Sequence, residues 1–91
     1  MYMVSNTVRS THNYDGAIVL DIKQGQMFNL NFVGSRILEL LKSGSAESAI
    51  TDQISREFCI SRNLAENDVR EFLHSLKKCH LVEEHEPHMA V

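Results

Sequence analysis

Proline, glycine and cysteine are scarce in this chain, with one proline, four glycines and two cysteines among 91 residues. So few chain-breaking residues predict that most of the chain is regular helix and strand. The two cysteines, Cys59 and Cys79, are isolated from each other in the sequence. We interpret them as small, buried hydrophobic side chains with free thiols.

Long apolar segments are missing as well. Residues 1–9 contain no apolar core of the length that a signal peptide needs, and no stretch approaches the length of a transmembrane helix. We therefore expect a cytoplasmic protein with reduced thiols and no membrane partner.

Positive charge is in deficit, because the formal net charge is −3. Nucleic acids and anionic membranes select basic surfaces, so this balance argues against both as partners. Hydrophobic residues make up 43% of the chain, which favours folding over disorder. A chain of 91 residues predicts one domain with a modest core and little room for an enclosed active site.

Motifs for catalysis are absent. The sequence contains no Ser–His–Asp pattern, no glycine-rich phosphate loop and no metalloprotease helix motif. Its carboxylates are scattered over the surfaces of predicted helices and do not converge. We therefore expect neither enzyme activity nor a cofactor.

Four residues near the C-terminus are candidate metal ligands: Cys79, His80, His85 and His88. Zinc ligands usually come in closely spaced pairs. Here the cysteine lies on an apolar helical stripe and two of the histidines lie in a predicted tail. We interpret the group as a core thiol with solvated imidazoles, and we predict no metal site.

The first third of the chain predicts three strands. Residues 2–12 form the first, and the turn at Asn13-Tyr-Asp-Gly16 follows because Asp-Gly supplies the positive φ that hairpins need. Residues 17–22 alternate as a second strand does. The apolar side chains on one face of that strand are Ile18, Leu20 and Ile22.

A turn at residues 23–25 leads to the third predicted strand, residues 26–30. Phe28 and Leu30 share one face of it, and Met27 and Asn29 share the other. If the order of strands in the sheet follows the chain, this third strand lies at an edge.

Three amphipathic helices follow, each behind a polar capping residue and each with one apolar stripe. The caps and helices are Asn31 with residues 33–42, Ser45 with residues 46–58, and Ser61 with residues 62–79. Ser43-Gly44 ends the first helix. Leu81-Val82 then packs back on the domain, and residues 83–91 form a solvated tail.

These elements predict an α+β domain over residues 1–84, in which a three-stranded antiparallel sheet precedes a three-helix bundle. Each short helix has a single apolar stripe, so the helices must pack together and against one sheet face. Residues 85–91 are predicted to be a flexible tail outside the domain.

The arrangement is winged-helix-like, so DNA binding is one functional hypothesis. A recognition helix presents Arg, Lys, Asn or Gln to base edges from its first turns. The first half of the third predicted helix instead carries Glu66, Asp68 and Glu71 against Arg62 and Arg70. Acidic side chains repel phosphates, which disfavours this hypothesis.

Binding of an extended peptide at the third strand is a second hypothesis. Natural sheet edges are usually blocked by Lys, Pro or a bulge, and this strand has no charge and no proline. The candidate residues of the strand are Gln26, Met27, Phe28, Asn29 and Leu30. A guest strand can pair with such an edge through main-chain hydrogen bonds, beside the apolar arc of the third helix around Phe72 and Leu73.

A structural alternative stays open. The same apolar side chains can simply form the core, with the edge covered by the N-terminal segment or by a second copy of the chain in a homodimer.

The chain also resembles the PqqD family. The resemblance lies in Gly16-Ala-Ile-Val-Leu-Asp21, Gly25-Gln-Met-Phe-Asn-Leu-Asn31 and Gly34-Ser-Arg-Ile-Leu-Glu-Leu-Leu41, with Asp68-Val-Arg-Glu-Phe-Leu73 and Leu81-Val-Glu83 further on. Members of this family are recognition elements for ribosomally synthesised, post-translationally modified peptides. The match extends over residues 8–84, nearly the whole chain.

The resemblance implies that the chain binds the leader of a precursor peptide as an extra strand and presents it to a modifying enzyme. It also implies a wall for the leader on the third helix, made by Val69, Phe72, Leu73 and Leu76. The motifs look closer to the leader binders of lasso-peptide pathways, whose partner is a leader peptidase, than to the pyrroloquinoline quinone protein, whose partner is a radical SAM enzyme. One departure is His80, which stands where relatives usually have a helix-ending glycine.

Overall fold

The computed structural model of the protein describes residues 2–84. In chain order its elements are β1 (Tyr2–Val4), β2 (Val8–Asn13), β3 (Gly16–Asp21), β4 (Gln26–Asn31), α1 (Phe32–Lys42), α2 (Glu47–Phe58), α3 (Arg62–Lys78) and β5 (Val82–Glu84). The predicted tail at residues 85–91 lies outside the described residues. The predicted α+β class is confirmed, with a three-stranded antiparallel sheet followed by three helices.

The main sheet has the order β2-β3-β4, and both pairs of neighbours are antiparallel. The prediction that strand order follows the chain is therefore confirmed, and β4 lies at one edge. The turn between β3 and β4 closes through a hydrogen bond of 2.8 Å from the Gly25 amide to the Asp21 carbonyl. Gly25 has a φ of 68°, a conformation that glycine takes without steric cost.

The predicted single strand over residues 2–12 is wrong, because a turn divides it into β1 and β2. The Val8 amide donates to the Ser5 carbonyl across this turn at 3.2 Å. β1 then leaves the main sheet and pairs antiparallel with β5 in a second, two-stranded sheet. Glu83 and Glu84, predicted to be solvated tail, therefore belong to a strand.

Two of the three predicted helix caps are confirmed. The Asn31 side chain accepts a hydrogen bond from the Gly34 amide at 2.8 Å, and the Ser61 hydroxyl accepts one from the Leu64 amide at 3.2 Å. The predicted Ser45 cap of α2 is wrong, since Ala46 occupies the cap position without a side-chain bond. The Ser45 amide instead completes the end of α1 by donating to the Leu40 carbonyl.

The core lies between the helices and one face of the main sheet. Its buried side chains are Val8, Val19, Ile37, Leu38, Leu41, Ile50, Ile54, Ala65, Val69, Leu73, Leu76, Leu81 and Val82. The face of β3 that carries Ile18 and Leu20 points to solvent, with exposures of 39% and 42%. None of the helices in the described part of the chain is both long enough and apolar enough to span a membrane.

The end of α3 adopts a left-handed turn at His80, whose φ is 61°. The His80 amide donates to the Lys77 carbonyl and the Leu81 amide donates to the Leu76 carbonyl, at 3.0 and 2.9 Å. This is the closure that glycine usually provides after a helix. Histidine therefore takes a left-handed conformation that glycine usually takes at the end of a helix.

Candidate functional site

The outer edge of β4 is a row of main-chain groups without a neighbouring strand among the described residues. The Ile22 amide donates to the Thr7 carbonyl, so the backbone of Ile22 faces the β2 side of the hairpin. Main-chain groups alternate in direction along a strand. Asp21, Val19 and Ala17 therefore face β4.

The partners of those three residues on β4 are Gln26, Phe28 and Leu30, whose main-chain groups must point back to β3. Steric space at Gly16 agrees with this, because a Cβ there would collide with the Leu30 carbonyl oxygen. It follows that the main-chain groups of Met27 and Asn29 point outward, away from the sheet.

Two contacts place helix α3 beside this edge, one just before the start of β4 and one just beyond its end. Near the start of β4, the Gln24 side-chain amide lies 3.4 Å from the Cys79 carbonyl that follows α3. Beyond the end of β4, the Phe72 ring packs on Gly34, where an added Cβ would lie only 2.9 Å from the ring. α3 therefore runs antiparallel to β4, and we call the space between the β4 edge and α3 the groove.

The groove deepens into a cleft of about 360 Å³ near the end of β4. Its walls come from the start of α1 and the middle of α3. The lining residues are Asn31, Val33, Gly34 and Ile37 on one side and Asp68, Glu71, Phe72 and Ser75 on the other. Asp68 and Glu71 have no ion-pair partner among residues 2–84, so this wall is acidic around an aromatic ring.

The strand residues singled out from the sequence divide by face, as predicted. Phe28 and Leu30 are half-buried and pack against the core, whereas Met27 and Asn29 are exposed on the opposite face. Gln26 is exposed at the start of the strand, although it has the same alternation as Phe28 and Leu30. Met27 is 67% exposed on the outer face. The edge therefore offers its main chain outward, with apolar side chains on its inner face.

The helix residues singled out from the sequence do not all reach the groove. Phe72 is half-buried and lines the cleft. Val69, Leu73 and Leu76 are at most 3% exposed and lie in the core. These three side chains therefore pack α3 against the core and do not line the groove.

Sequence reasoning missed the polar residues that surround Phe72 on the groove wall. Asp68, Glu71 and Ser75 lie one turn before it, beside it and one turn after it. Residues three and four apart share a face of a helix. The signal was therefore available once Phe72 was placed in the groove.

The basic residues in the first half of α3 are already paired with carboxylates. Arg62 forms an ion pair with Asp52 of α2, and Arg70 contacts Glu66 at 2.9 Å. Both arginines are therefore neutralised locally, which removes charge that a DNA-reading helix would present to phosphate.

Outside the groove, an ion pair joins α1 to α2. The Arg36 guanidinium contacts the Glu57 carboxylate at 2.9 Å through Nη2 and at 2.9 Å through Nε. The hydrogen bond from Arg36 lowers the pKa of Glu57, and a second bond from Gln53 acts in the same direction.

Among residues 2–84, no three His, Cys, Asp or Glu side chains are placed to hold a metal ion. The predicted candidates His85 and His88 lie outside that range.

Comparison with known proteins gives a consistent set of relatives. The family model described as coenzyme PQQ synthesis protein D (PqqD) matches residues 16–82. The comparison with curated proteins finds no match. Among solved structures, TbiB1 in complex with the TbiA(beta) leader peptide has 36% sequence identity and a TM-score of 0.85, and the match covers 92% of this chain and 98% of TbiB1.

Two more distant structures share the fold. A lasso peptide synthetase B1 complexed with the leader peptide has 20% identity and a TM-score of 0.82, over 91% of this chain and 98% of the synthetase. The PqqD part of PqqCD from Methylobacterium extorquens, described as a stand-alone recognition element, has 16% identity and a TM-score of 0.75. That match covers 91% of this chain and 88% of the other.

Proposed function

The chain belongs to the PqqD family, and from this premise we propose that it binds the leader segment of a ribosomally synthesised precursor peptide in the groove between β4 and α3. The leader adds to β4 as a fourth strand and is thereby presented to a modifying enzyme. The observation that carries the proposal is the outward direction of the Met27 and Asn29 main chains beside a helix wall. TbiB1, at 36% identity, is a leader-peptide complex.

Main-chain pairing supplies the part of the affinity that does not depend on the leader's sequence. Each outward residue of β4 offers one N–H and one C=O, so Met27 and Asn29 provide two donors and two acceptors. A hydrogen bond contributes about 0.5–1.5 kcal/mol net. Four such bonds correspond to about 2–6 kcal/mol before the cost of ordering the peptide.

Side-chain selection comes from the wall of the groove. Alternate residues of a guest strand point to opposite faces of the sheet, so every second leader side chain faces the helices. The space offered to these side chains is the cleft around Phe72. An apolar leader residue that packs on this ring gains the energy of an aromatic anchor.

The acidic groups of the wall add a charge preference. Asp68 and Glu71 flank Phe72 and have no cation partner among the described residues. A leader with a basic residue next to its apolar anchor complements this wall, and a leader with an acidic residue there is disfavoured.

The pathway is part of the proposal. The modifying enzyme is a leader peptidase of a lasso-peptide pathway, and the alternative partner is a radical SAM enzyme. Resemblance to TbiB1 in 36% of aligned residues, against 16% for the PqqD part of PqqCD, supports the first partner. A short precursor reading frame beside a peptidase gene supports the lasso pathway, and one beside a radical SAM gene supports the alternative.

A titration of the ¹⁵N-labelled protein with the synthetic leader of the neighbouring precursor tests the proposal. Amide shifts are expected at Met27, Asn29 and Phe72, and no shifts are expected on β2 at the opposite edge. Absence of these shifts with the leader contradicts the proposal. Shifts that appear only on addition of duplex DNA, and only in the exposed first turns of α3, also contradict it. Sedimentation of the free protein shows whether a second copy occupies the same edge.

A further inference from the structure

Asp21 is a buried carboxylate to which the proposed peptide pairing gives no role. It is 1% exposed and stands at the last position of β3. Its Oδ1 accepts hydrogen bonds from the amides of Lys23 and Gln24 at 3.0 and 3.3 Å and from the Thr7 hydroxyl at 3.3 Å. A charge buried this deeply needs such donors, because burial without them is very unfavourable.

The remaining oxygen of Asp21 holds a side chain that reaches the groove. Oδ2 accepts a hydrogen bond of 2.6 Å from the side-chain amide of Gln24, and the same amide nitrogen lies 3.4 Å from the Cys79 carbonyl at the end of α3. Gln24 is exposed, so its side chain is held in this orientation by the charge-assisted hydrogen bond to the carboxylate. The two contacts join the turn before β4 to the end of α3.

This connection stands at one end of the groove, and the Phe72 ring on Gly34 stands at the other. The distance between the β4 edge and α3 therefore depends on both. We infer that Asp21 and Gln24 are positioning residues for peptide binding: the carboxylate orients Gln24, and Gln24 sets the width of the groove at the start of β4. The inference rests on the proposed function.

The test compares two substitutions of Gln24. Gln24→Glu keeps the size but removes the donor and places a second negative charge beside Asp21, so it releases the end of α3. Gln24→Lys keeps a donor on a side chain long enough to approach both Oδ2 of Asp21 and the Cys79 carbonyl oxygen. The probe is the synthetic leader, with affinity measured by calorimetry and the groove monitored by the amide shifts of Met27 and Cys79 in the free protein.

Loss of one charge-assisted hydrogen bond predicts that Gln24→Glu weakens leader binding about tenfold. The melting temperature is also expected to fall, because Oδ2 of the buried Asp21 loses its donor, so affinity is measured at a temperature at which circular dichroism shows the variant to be folded. Gln24→Lys should restore most of the affinity. Gln53→Glu is the matched control, since Gln53 also donates to a carboxylate at 2.6 Å, on Glu57 and away from the groove; it should bind as the wild type does.

The inference is overturned if Gln24→Glu binds the leader with wild-type affinity, or if Gln24→Lys and Gln24→Glu are equally impaired. It is also overturned if the free-state shifts at Met27 and Cys79 do not change. A wild-type protein that does not bind the leader contradicts the proposed function itself, so the two failures are distinguishable.

Discussion

Proline at position 29 should weaken binding of the leader peptide while leaving the fold of the domain intact. The Asn29 amide points outward from the edge of the sheet, so its loss breaks no bond to β3. Proline is tolerated at such edge positions for this reason. In a guest complex the same substitution removes one donor, and its ring prevents close approach of the opposite chain.

The magnitude follows from the number of bonds affected. Loss of one main-chain hydrogen bond, or of that bond and its neighbour, corresponds to about 1–3 kcal/mol of binding free energy. This is a weakening of about 5- to 150-fold in Kd. Calorimetric titration of the synthetic leader measures this, with circular dichroism to verify that the variant is folded.

The matched control is Ser10→Pro on the opposite edge. Arg9 and Thr11 pair with the β3 residues that face β2, so the Ser10 main chain points outward from the other side of the sheet. Ser10→Pro should bind the leader as the wild type does. A folded Asn29→Pro with unchanged affinity, or an equal loss in Ser10→Pro, refutes strand addition at β4.

Three further outcomes follow from local geometry. His80→Gly should raise the free energy of unfolding by about 1 kcal/mol, because glycine takes the left-handed φ of 61° without steric cost; thermal melting measures the gain, and an unchanged or lower melting temperature would show that the turn is unstrained. Gly34→Ala places a methyl group 2.9 Å from the Phe72 ring, and the displaced ring should cost about 1 kcal/mol or more of leader-binding free energy; equal affinity by calorimetry argues against a role for the ring. The pKa of Glu57 is lowered by its hydrogen bond from Arg36, so the stability from this pair is present at neutral pH and is lost as the pH falls below the ordinary carboxyl pKa of about 4.5. Urea unfolding at neutral and acidic pH should show a smaller loss of stability on acidification in Glu57→Gln than in the wild type. An identical loss in both proteins counts against the pair.

Local signals predicted most of the main sheet and the helix ends. The Asp-Gly turn placed β2 and β3 in one hairpin, and Asn31 and Ser61 capped their helices, because these choices depend on neighbouring residues alone. The short pair β1–β5 depends on residues some eighty positions apart. No three-residue segment carries a pattern that reveals such a partner.

The predicted Ser45 cap of α2 is wrong although the local signal was present. Serine is a common capping residue, but here its amide is used to complete the preceding helix, so the tertiary turn overrides the local preference. The sequence also did not indicate which face of β3 is buried. The buried face carries Ala17, Val19 and the charged Asp21, while the exposed face carries the larger apolar residues Ile18 and Leu20.

The groove was predictable as an edge and less so as a surface. The uncharged composition of β4 identified the strand from the sequence. The wall of α3 required knowledge of how far the helix is rotated about its axis. A rotation of one residue, about 100°, separates Phe72 in the cleft from Leu73 in the core.

The antiparallel pairing of β1 with β5 has a consequence for protein engineering. Tyr2 lies directly opposite Glu84, so the entry and exit of the described chain are separated by only the spacing of two adjacent strands, about 5 Å. The domain is therefore suited to insertion into a surface loop of another protein, since both junctions fit in the space of one hairpin. A short linker across the same gap gives a circular permutant, whose new N- and C-termini can be placed in the turn after α1.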